Sequence, residues 1–253
     1  MVGGASRGLG FACAEALAGE GMCVALAARS GEPLRVAAER IAAATGSETL
    51  AVPIDLSRPD GAEGFAAAAV ERFGGVDLLV SNTGGPPPGT FEMLGDDAWQ
   101  EAFDGLLMSA VRLSRAVIPT MRSRGGGRIV HNTSYTVKEP EPGLVLSNAL
   151  RAAVVALAKT QARELAADGI LVNAICPGPF ATERLDTLIQ STATRTGTRP
   201  DDLLRQWEQR VPLGRLLQPA EFAQLVVFLA SPRSSGITGA VLPVDGGLLR
   251  GLL

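Results

Sequence analysis

The residues that build disulfide frameworks and metal centres are scarce in this chain of 253 residues. It contains three cysteines, Cys13, Cys23 and Cys176, which form no CxxC pair, and one histidine. An odd number of scattered cysteines argues against a disulfide framework, and without Cys/His clusters we expect no metal site. This pattern favours buried, reduced thiols in a cytoplasmic protein.

Long apolar runs and concentrated charge of one sign are also missing. Hydrophobic residues make up 46% of the chain, but charges, glycines or prolines interrupt every apolar stretch before it reaches the roughly 18 residues of a membrane-spanning helix. The net charge is −3 and Lys and Arg form no stripe, so we expect neither a membrane nor a nucleic acid as a partner. The N-terminus lacks the residue succession of a signal peptide.

Short apolar runs alternate with Ala-rich amphipathic stretches along the whole chain. The runs are continuously hydrophobic, which predicts strands buried on both faces of a parallel sheet with helices on each side. We therefore predict an α/β fold, a doubly wound parallel sheet in three layers (α/β/α), with ligands beyond the carboxyl ends of the strands. The predicted strands are 22–27, 50–54, 76–80, 128–131, 170–175 and 240–244, and the predicted helices are about 9–20, 33–44, 60–73, 96–122, 147–167 and 219–230.

A glycine-rich segment opens the first predicted helix, where residues 4–10 read Gly-Ala-Ser-Arg-Gly-Leu-Gly. Glycines there permit a tight turn and bring backbone N–H groups close to a pyrophosphate at the positive end of the helix. A simple helix-capping turn explains the same glycines. The context favours the dinucleotide, because Asp55 and Leu56 follow one predicted strand and Ser81-Asn82-Thr83-Gly84-Gly85 follows the next.

Together with these segments, later motifs make the whole chain resemble the short-chain dehydrogenase/reductase family, in its 3-oxoacyl-(acyl-carrier-protein)-reductase-like form. The motifs are Asn173-Ala174-Ile175-Cys176-Pro177-Gly178 with Thr182, Val211-Pro212-Leu213-Gly214-Arg215, Ile237-Thr238-Gly239 and Val244-Asp245-Gly246-Gly247. The resemblance implies one Rossmann domain over residues 1–253 that binds NAD(P), with Asp55 and Leu56 at the adenine and Asn82 bracing the central strands. The implied cofactor contacts are Gly4, Ser6, Arg7, Gly8, Leu9, Gly10, Asp55, Leu56, Asn82, Gly84, Arg151, Pro177, Gly178, Phe180 and Thr182.

The residues after the second predicted strand indicate which dinucleotide binds. An NAD site places a carboxylate there to hold the ribose 2′-hydroxyl, whereas this chain reads Leu26-Ala27-Ala28-Arg29-Ser30. The guanidinium groups of Arg29 and Arg7 could both face a 2′-phosphate, which arginine binds in a bidentate manner. We therefore predict NADP(H) as the cofactor.

At the catalytic end the sequence departs from the family, whose usual tetrad is Asn, Ser, Tyr and Lys. The Ser corresponds to Ser134, but counting thirteen residues onward reaches Ser147 instead of Tyr, and four more reach Arg151 instead of Lys. The Asn position falls on Leu106. A serine hydroxyl is a far weaker acid than a tyrosine phenol, yet it can donate a hydrogen bond to a developing alkoxide. Arg151 lies one helical turn from Ser147 and carries a fixed charge that cannot relay a proton near neutral pH.

Two functions remain open from these substitutions. The first is an NADPH-dependent carbonyl (3-oxoacyl-like) reductase or dehydrogenase acting on a small-molecule carbonyl/alcohol pair. In it Ser134 and Ser147 donate hydrogen bonds to the substrate oxygen, and Arg151 holds the nicotinamide ribose. The alternative is a catalytically degenerate NADP(H)-binding protein, such as a sensor or an assembly subunit. The intact nicotinamide loop favours the enzyme.

Two neighbouring side chains could take part in the chemistry. Tyr135 is the only tyrosine, and its phenol could supply the missing proton if Lys138 lowered its pKa. A packed aromatic is the alternative interpretation of Tyr135. His131 lies inside the fifth predicted strand, where we interpret it as a structural histidine between strand and helix.

The region of about 183–211 corresponds to the family's mobile substrate lid. Its apolar residues Leu185, Leu188, Ile189, Leu203, Leu204 and Trp207 could cover a pocket, or form a helix pair packed on the body. Its arginines, Arg184, Arg195, Arg199, Arg205 and Arg210, suit either an anionic substrate or a solvated face. The resemblance also implies a homotetramer or homodimer that pairs the helices at 96–122 and 147–167.

Only Met1 and Val2 precede the glycine-rich segment, where a full strand is expected. That first strand is central in this topology. Its truncation would leave N–H and C=O groups unpaired on both neighbouring strands, at about 1–3 kcal/mol for each buried group. We therefore expect the natural chain to start upstream of Met1.

Overall fold

The structure, a computed structural model, describes residues 1–252. The strands are β1 (Val2–Gly3), β2 (Val24–Ala28), β3 (Thr49–Pro53), β4 (Leu78–Ser81), β5 (Gly127–Asn132), β6 (Ile170–Pro177) and β7 (Val241–Val244). They form one parallel sheet with the strand order β3-β2-β1-β4-β5-β6-β7. The order reverses between β1 and β4, which confirms the predicted doubly wound α/β fold.

Helices cover both faces of the sheet. The helices are α1 (Gly8–Gly19), α2 (Gly31–Thr45), α3 (Gly61–Phe73), α4 (Asp96–Ala102), α5 (Ser109–Ser123), α6 (Val145–Glu164), α7 (Glu183–Thr196), α8 (Pro200–Arg210) and α9 (Pro219–Ala230). The predicted helix at 96–122 consists of three successive parts, α4, a π-helical stretch at Phe103–Met108, and α5. The segment at 183–211 forms two helices, α7 and α8.

Strand β1 lies at the centre of the sheet although it is only two residues long. Val2 pairs with Leu26 of β2 and with Val80 of β4. Met1 extends these contacts, because its carbonyl accepts a hydrogen bond from the Val80 amide at 2.9 Å. Its amino group donates to the Leu78 carbonyl at 2.8 Å. The truncated first strand therefore has the predicted central position, and the upstream start stays a prediction.

The core consists of two apolar layers, one on each side of the sheet. Successive residues of β2 belong to opposite layers, since Leu26 packs toward α1, α2 and α9 while Ala27 packs toward α3, α5 and α6. This arrangement requires strands whose side chains are apolar on both faces of the sheet. The prediction of burial on both faces is wrong for β3 and β7, whose residues are partly or fully exposed because these two strands form the edges of the sheet.

Two of the three thiols are buried, as predicted, but Cys23 is exposed. It precedes β2 in the turn after α1, where Gly21 has a φ of 83°. The predicted strand at 22–27 therefore begins two residues too early, because this turn takes Met22 and Cys23 out of the sheet.

Within residues 1–252, no helix has the length and apolar character needed to cross a membrane.

Candidate functional site

The glycine-rich turn joins β1 to α1 at the carboxyl edge of the sheet. Gly4 and Gly8 have φ angles of 56° and 59°, which favour glycine. A side chain at Gly10 would overlap the Gly4 carbonyl oxygen. No side chain caps the first turn of α1, so its amide N–H groups remain available to an anion. Ser6 and Leu9, two further predicted cofactor contacts, lie half-buried in the same turn.

Asn82 connects this turn to the middle of the sheet. Its Nδ2 donates to the carbonyl oxygens of Gly3 at 2.9 Å and Gly4 at 3.4 Å. Its Oδ1 accepts from Asn132 Nδ2 at 2.6 Å. Asn82 therefore joins the ends of β1, β4 and β5, and Gly84 follows it on an exposed loop.

The predicted adenosine end lies after β2 and β3. Arg29 is exposed directly after β2 and forms no ion pair within residues 1–252. Asp55 is half-buried, and its Oδ1 accepts from the backbone N and the Oγ of Ser57 at 3.0 and 2.7 Å. Burial acts to raise the Asp55 pKa, but these hydrogen bonds and the charges of Arg29 and Arg58 hold it below its ordinary value. Leu56 is buried beside the turn.

Arg7 has a protein partner in this structure. Its guanidinium forms an ion pair with Glu183 at the start of α7, and both side chains are exposed. That Arg7 and Arg29 both face a 2′-phosphate stays a prediction. The ion pair forms because the fold brings the first turn of α7 against the glycine-rich turn, a contact between segments far apart in sequence.

The predicted nicotinamide loop follows β6 and leads into α7. Pro177 ends β6, and a side chain at Gly178 would lie 2.7 Å from Asp245 Cα. Phe180 is buried and packs edge-on against Phe222, with ring centroids 5.9 Å apart. Thr182 precedes α7, and its methyl group lies 3.8 Å from the position of a Cβ at Gly8. The loop therefore returns to the glycine-rich turn.

Ser134, Ser147 and Arg151 lie near the carboxyl end of β5. Ser134 follows β5, and its Oγ accepts from the Thr136 amide at 3.2 Å. Ser147 lies in the first turn of α6 and is 8% exposed. Arg151, one turn further on, is 9% exposed, and its Nη1 donates to the Asn132 carbonyl at 3.0 Å. Burial, and then the charge of Arg184, lower the pKa of Arg151 to about 10, so the group stays charged at neutral pH.

Leu106, at the remaining tetrad position, lies in the π-helical stretch and is buried. It packs with Leu146 and Leu150 of α6. The side chain therefore supports the helix that carries Ser147, and it offers no hydrogen-bonding group.

Tyr135 is not oriented as a proton donor. Its hydroxyl donates to Glu141 Oε2 at 2.8 Å, and Glu141 also accepts from Arg210 of α8. Burial and the Glu141 charge raise the Tyr135 pKa, which is opposite to the shift that the hypothesis with Lys138 requires. The packed-aromatic interpretation therefore fits Tyr135.

His131 has the structural position that we expected. Its Nε2 is 2.9 Å from Gln161 Oε1 of α6, and the ring is fully buried. Burial lowers its pKa to about 4, although the hydrogen bond to Gln161 acts to raise it. The imidazole is therefore neutral near pH 7 and links β5 to α6.

A cavity of about 270 Å³ lies between the loop after β4, the segment before α6, and helices α7 and α8. Leu188, Leu203 and Trp207 of the predicted lid line it, whereas Leu185 and Ile189 are buried beneath them. Ser134, Ser147 and Arg151 are not lining residues, but Gly143 and Leu144 are, and Leu144 directly precedes α6. The cavity therefore reaches the residue before α6, and Ser147 lies outside its lining.

Sequence reasoning missed some residues of this cavity. Met93 lines it and is 64% exposed, on a short 3-10 helix after β4. Glu141 lines it and joins the Tyr135 loop to α8 through Arg210. No local signal marks either residue, because each acquires its role from elements distant in sequence. The three prolines at 86–88 are the one nearby signal, and Pro88 lines the cavity.

Comparisons with known proteins show which proteins this chain is similar to. A family profile described as enoyl-(acyl carrier protein) reductase matches residues 4–249. The short-chain reductase protein NovJ of Streptomyces niveus is 35% identical, covering 98% of this chain and 92% of its own. The 3-oxoacyl-(acyl-carrier-protein) reductase FabG of Vibrio cholerae is 34% identical, covering 98% and 96%. The crystal structure of L-sorbose reductase from Gluconobacter frateurii, complexed with NADPH and L-sorbose, has a TM-score of 0.94 at 34% identity, covering 99% and 96%.

Proposed function

Because the chain belongs to the short-chain dehydrogenase/reductase family, we propose that it is an NADP(H)-dependent oxidoreductase with a modified active site. It acts on a carbonyl/alcohol pair of the 3-oxoacyl-like kind. One observation carries the proposal: a line of hydrogen bonds runs from the glycine-rich turn through Asn82 and Asn132 to Arg151. These hydrogen bonds connect the predicted cofactor turn to the predicted catalytic helix, which supports a common site.

The residues present fit NADP(H). The first turn of α1 offers amides to a pyrophosphate, and Arg29 offers a guanidinium to a 2′-phosphate where no carboxylate follows β2. The Thr182 methyl group lies beside the glycine-rich turn at Gly8, which supports a cofactor contact by Thr182. NADPH supplies the hydride when it is bound. The structure of L-sorbose reductase contains NADPH, which supports this cofactor.

The side chains of this chain act on the substrate oxygen by hydrogen bonding and charge. Ser134 and Ser147 donate hydrogen bonds to the oxygen on which charge develops. Arg151 remains protonated at neutral pH, so it holds the nicotinamide ribose and stabilises negative charge without transferring a proton. Because no positioned Tyr acid is present, we expect a rate about 10²–10⁴-fold below that of a site with a general acid.

Helices α7 and α8 serve as the substrate lid over about 183–211, within a single Rossmann domain. The 270 Å³ cavity beneath them suits a small-molecule carbonyl with an apolar portion, because Leu188, Leu203 and Trp207 line it. The FabG relative is named for a 3-oxoacyl substrate, and a ketone of that kind is the first to test. Assembly as a homodimer or homotetramer, and a cytoplasmic location, remain predictions.

The decisive experiment follows NADPH oxidation with a panel of ketones for wild type, Ser147→Ala and Ser147→Tyr. Removing one donor to the oxyanion is expected to lower kcat/KM about 10²-fold and to leave NADPH affinity unchanged. The matched control is Ser114→Ala, because Ser114 is a buried helical serine that donates only to the Ala110 carbonyl. An unchanged kcat/KM in Ser147→Ala would exclude Ser147 from the chemistry.

Two observations favour the second candidate, an NADP(H)-binding protein without turnover. Among residues 1–252, the only tyrosine is tied to Glu141 with a raised pKa, and Leu106 fills the Asn position with an apolar side chain. Tight NADPH binding without oxidation of any ketone in the panel by wild type would establish this candidate instead.

A further inference from the structure

Glu141, in the loop between β5 and α6, connects three parts of the structure through its side chain and its backbone. Its Oε1 accepts a hydrogen bond from Arg210 Nη1 at 3.1 Å. Its Oε2 accepts from Arg210 Nη2 and, at 2.8 Å, from the Tyr135 hydroxyl. Its backbone N–H donates to Asn148 Oδ1 at 3.4 Å, and its carbonyl accepts from Asn148 Nδ2 at 3.0 Å. The residue therefore joins the end of α8, the loop after β5 and the first turn of α6.

Two of these partners directly follow the serines that we propose as donors to the substrate oxygen. Tyr135 follows Ser134, and Asn148 follows Ser147. Because the peptide bond within each pair is planar and stiff, a shift of Tyr135 or Asn148 moves the backbone of the adjacent serine. Glu141 therefore holds the two serine-bearing segments in a fixed position relative to each other.

The third partner belongs to the wall of the cavity. Arg210 lies in the last turn of α8, and its guanidinium lies over the Trp207 ring, 4.5 Å from the ring centroid. Arg210, Trp207 and Glu141 all line the cavity. Stacking on an aromatic ring and a bidentate bond to a carboxylate both fix the plane of a guanidinium. The C-terminal end of α8 is therefore attached to the serine-bearing segments through Glu141.

The Glu141 carboxylate is shielded from water and its backbone is restricted. The Glu141 side chain is 19% exposed and that of Arg210 is 43% exposed, so water screens this ion pair less than a fully exposed pair. Pro140 and Pro142 flank Glu141 and restrict the backbone dihedral angles of the segment. A shielded carboxylate on a stiff segment transmits a displacement of one partner to the others.

We propose that Glu141 is a positioning residue that couples α8, one wall of the cavity, to Ser134 and Ser147. The inference rests on the proposed function, which assigns both serines to the substrate oxygen. When Arg210 binds Glu141, α8 is held at the cavity and both serine-bearing segments are fixed. Without Arg210 the shielded carboxylate lacks its compensating charge. The loop then rearranges toward water, and the change reaches both serines.

Hydrogen exchange of backbone amides in the full chain tests this coupling without turnover. The variant Arg210→Met removes the guanidinium from α8 and leaves Glu141 and both serines in place. We expect exchange in residues 135–137 and in the first turn of α6 to become about 10-fold faster, because hydrogen bonds to a charged group are lost. The matched control is Arg215→Met, since Arg215 also donates from two nitrogens to one carboxylate, that of Glu221 on α9. It should leave these segments unchanged.

A second variant shows whether the effect depends on the carboxylate. Glu141→Gln keeps an acceptor for the Tyr135 hydroxyl and removes the charge that binds Arg210. We expect the same faster exchange as in Arg210→Met. The double variant should show no further increase, because both changes break one interaction. Circular dichroism verifies that each variant is folded.

Kinetics with a ketone and NADPH distinguish positioning from a purely structural role. We expect kcat/KM for the ketone to fall about 10-fold in Arg210→Met and in Glu141→Gln. The pH profile of kcat should not move, because neither group transfers a proton. Arg210→Lys keeps the charge and loses the bidentate geometry, so it should recover part of the loss. Arg215→Met should retain the wild-type kcat/KM.

Unchanged exchange in residues 135–137 and in the first turn of α6 of folded Arg210→Met would overturn the inference. An equal increase over the whole chain would also overturn it, because lower global stability alone produces that result. If Arg210→Met does not fold, the same comparison with Arg210→Lys decides the question.

The proposed function fails by a different result, the absence of turnover with every ketone. Faster exchange confined to the two serine-bearing segments, in a protein without turnover, would support the coupling through Glu141 and reject the oxidoreductase.

Discussion

Replacing Arg151 by methionine tests whether its charge serves the fold or a ligand. The side chain is 9% exposed, and its Nη1 donates to the Asn132 carbonyl. Burial and the charge of Arg184 lower its pKa from 12.5 to about 10, a difference that corresponds to about 3 kcal/mol. Because the pKa is lower in the folded protein, this free energy opposes folding at every pH below about 10, and it diminishes only as pH rises toward 12.5.

Two contributions act in opposite directions in the variant. Methionine removes the buried charge, which raises the free energy of unfolding by about 3 kcal/mol. Its unbranched apolar side chain still fills the space. The lost hydrogen bond from a charged donor to the Asn132 carbonyl costs about 1.5–3 kcal/mol. We therefore expect the free energy of unfolding without ligand to stay equal or to rise by about 1 kcal/mol.

Urea unfolding at pH 7.5 measures this change, first without ligand and then with saturating NADP⁺. Added NADP⁺ should stabilise the variant much less than wild type, because ligand stabilisation follows the ratio of concentration to Kd. The matched control is Arg163→Met, an exposed arginine in the last turn of the same helix. Its loss should change stability by no more than about 1 kcal/mol and leave the NADP⁺ effect intact.

A loss of 3 kcal/mol or more in the ligand-free Arg151→Met protein would refute this reasoning. Losses of that size accompany the removal of one partner from a buried ion pair. The result would show that the guanidinium has a stabilising partner in the folded protein, and that its charge is structural rather than reserved for a ligand.

Three further changes have expected outcomes. Gly10→Ala should destabilise the protein by about 1–3 kcal/mol and abolish NADPH binding, because the new methyl group overlaps the Gly4 carbonyl. Fluorescence titration measures the binding. The control Gly19→Ala has open space around its new methyl group and should change neither stability nor binding. The pKa of the buried His131 imidazole is about 4 in the folded protein and 6.5 in the unfolded chain. Between these values the unfolded chain binds a proton that the folded protein does not bind. The free energy of unfolding should therefore fall by about 3 kcal/mol from pH 7 to pH 4. Urea titrations of His131→Asn should lack that part of the slope, and an identical slope would contradict the assignment. Tyr135→Phe should lower stability by about 1 kcal/mol and leave the pH profile of kcat unchanged; a shifted profile would restore the phenol as proton donor.

Much of the fold could be read from local patterns. The run at 170–175 is apolar in both registers, and β6 is buried from end to end apart from Leu171. A central parallel strand has to be apolar in this way, because a helix layer covers each face. The run at 50–54 has the same pattern, yet β3 is partly exposed, since no local feature states which strand lies at the edge.

Only part of the candidate site could be predicted from local patterns. The glycines of the first turn could be recognised, since φ angles of 56° and 59° exclude most side chains. The helix that carries Ser147 and Arg151 could be placed by counting from Ser134, because both spacing and periodicity are properties of neighbouring residues. Counting could not show what these side chains touch.

Contacts between residues far apart in the chain could not be predicted. Arg7 forms an ion pair with Glu183, Tyr135 donates to Glu141, which also pairs with Arg210, and the Arg184 guanidinium lies against Gly85. Each partner comes from a different element of the fold. The role of a charged group or a hydroxyl depends on the atoms within a few ångströms of it, and only the folded chain determines those atoms. Periodicity and backbone angles, in contrast, depend on adjacent residues, so the sequence alone predicts them.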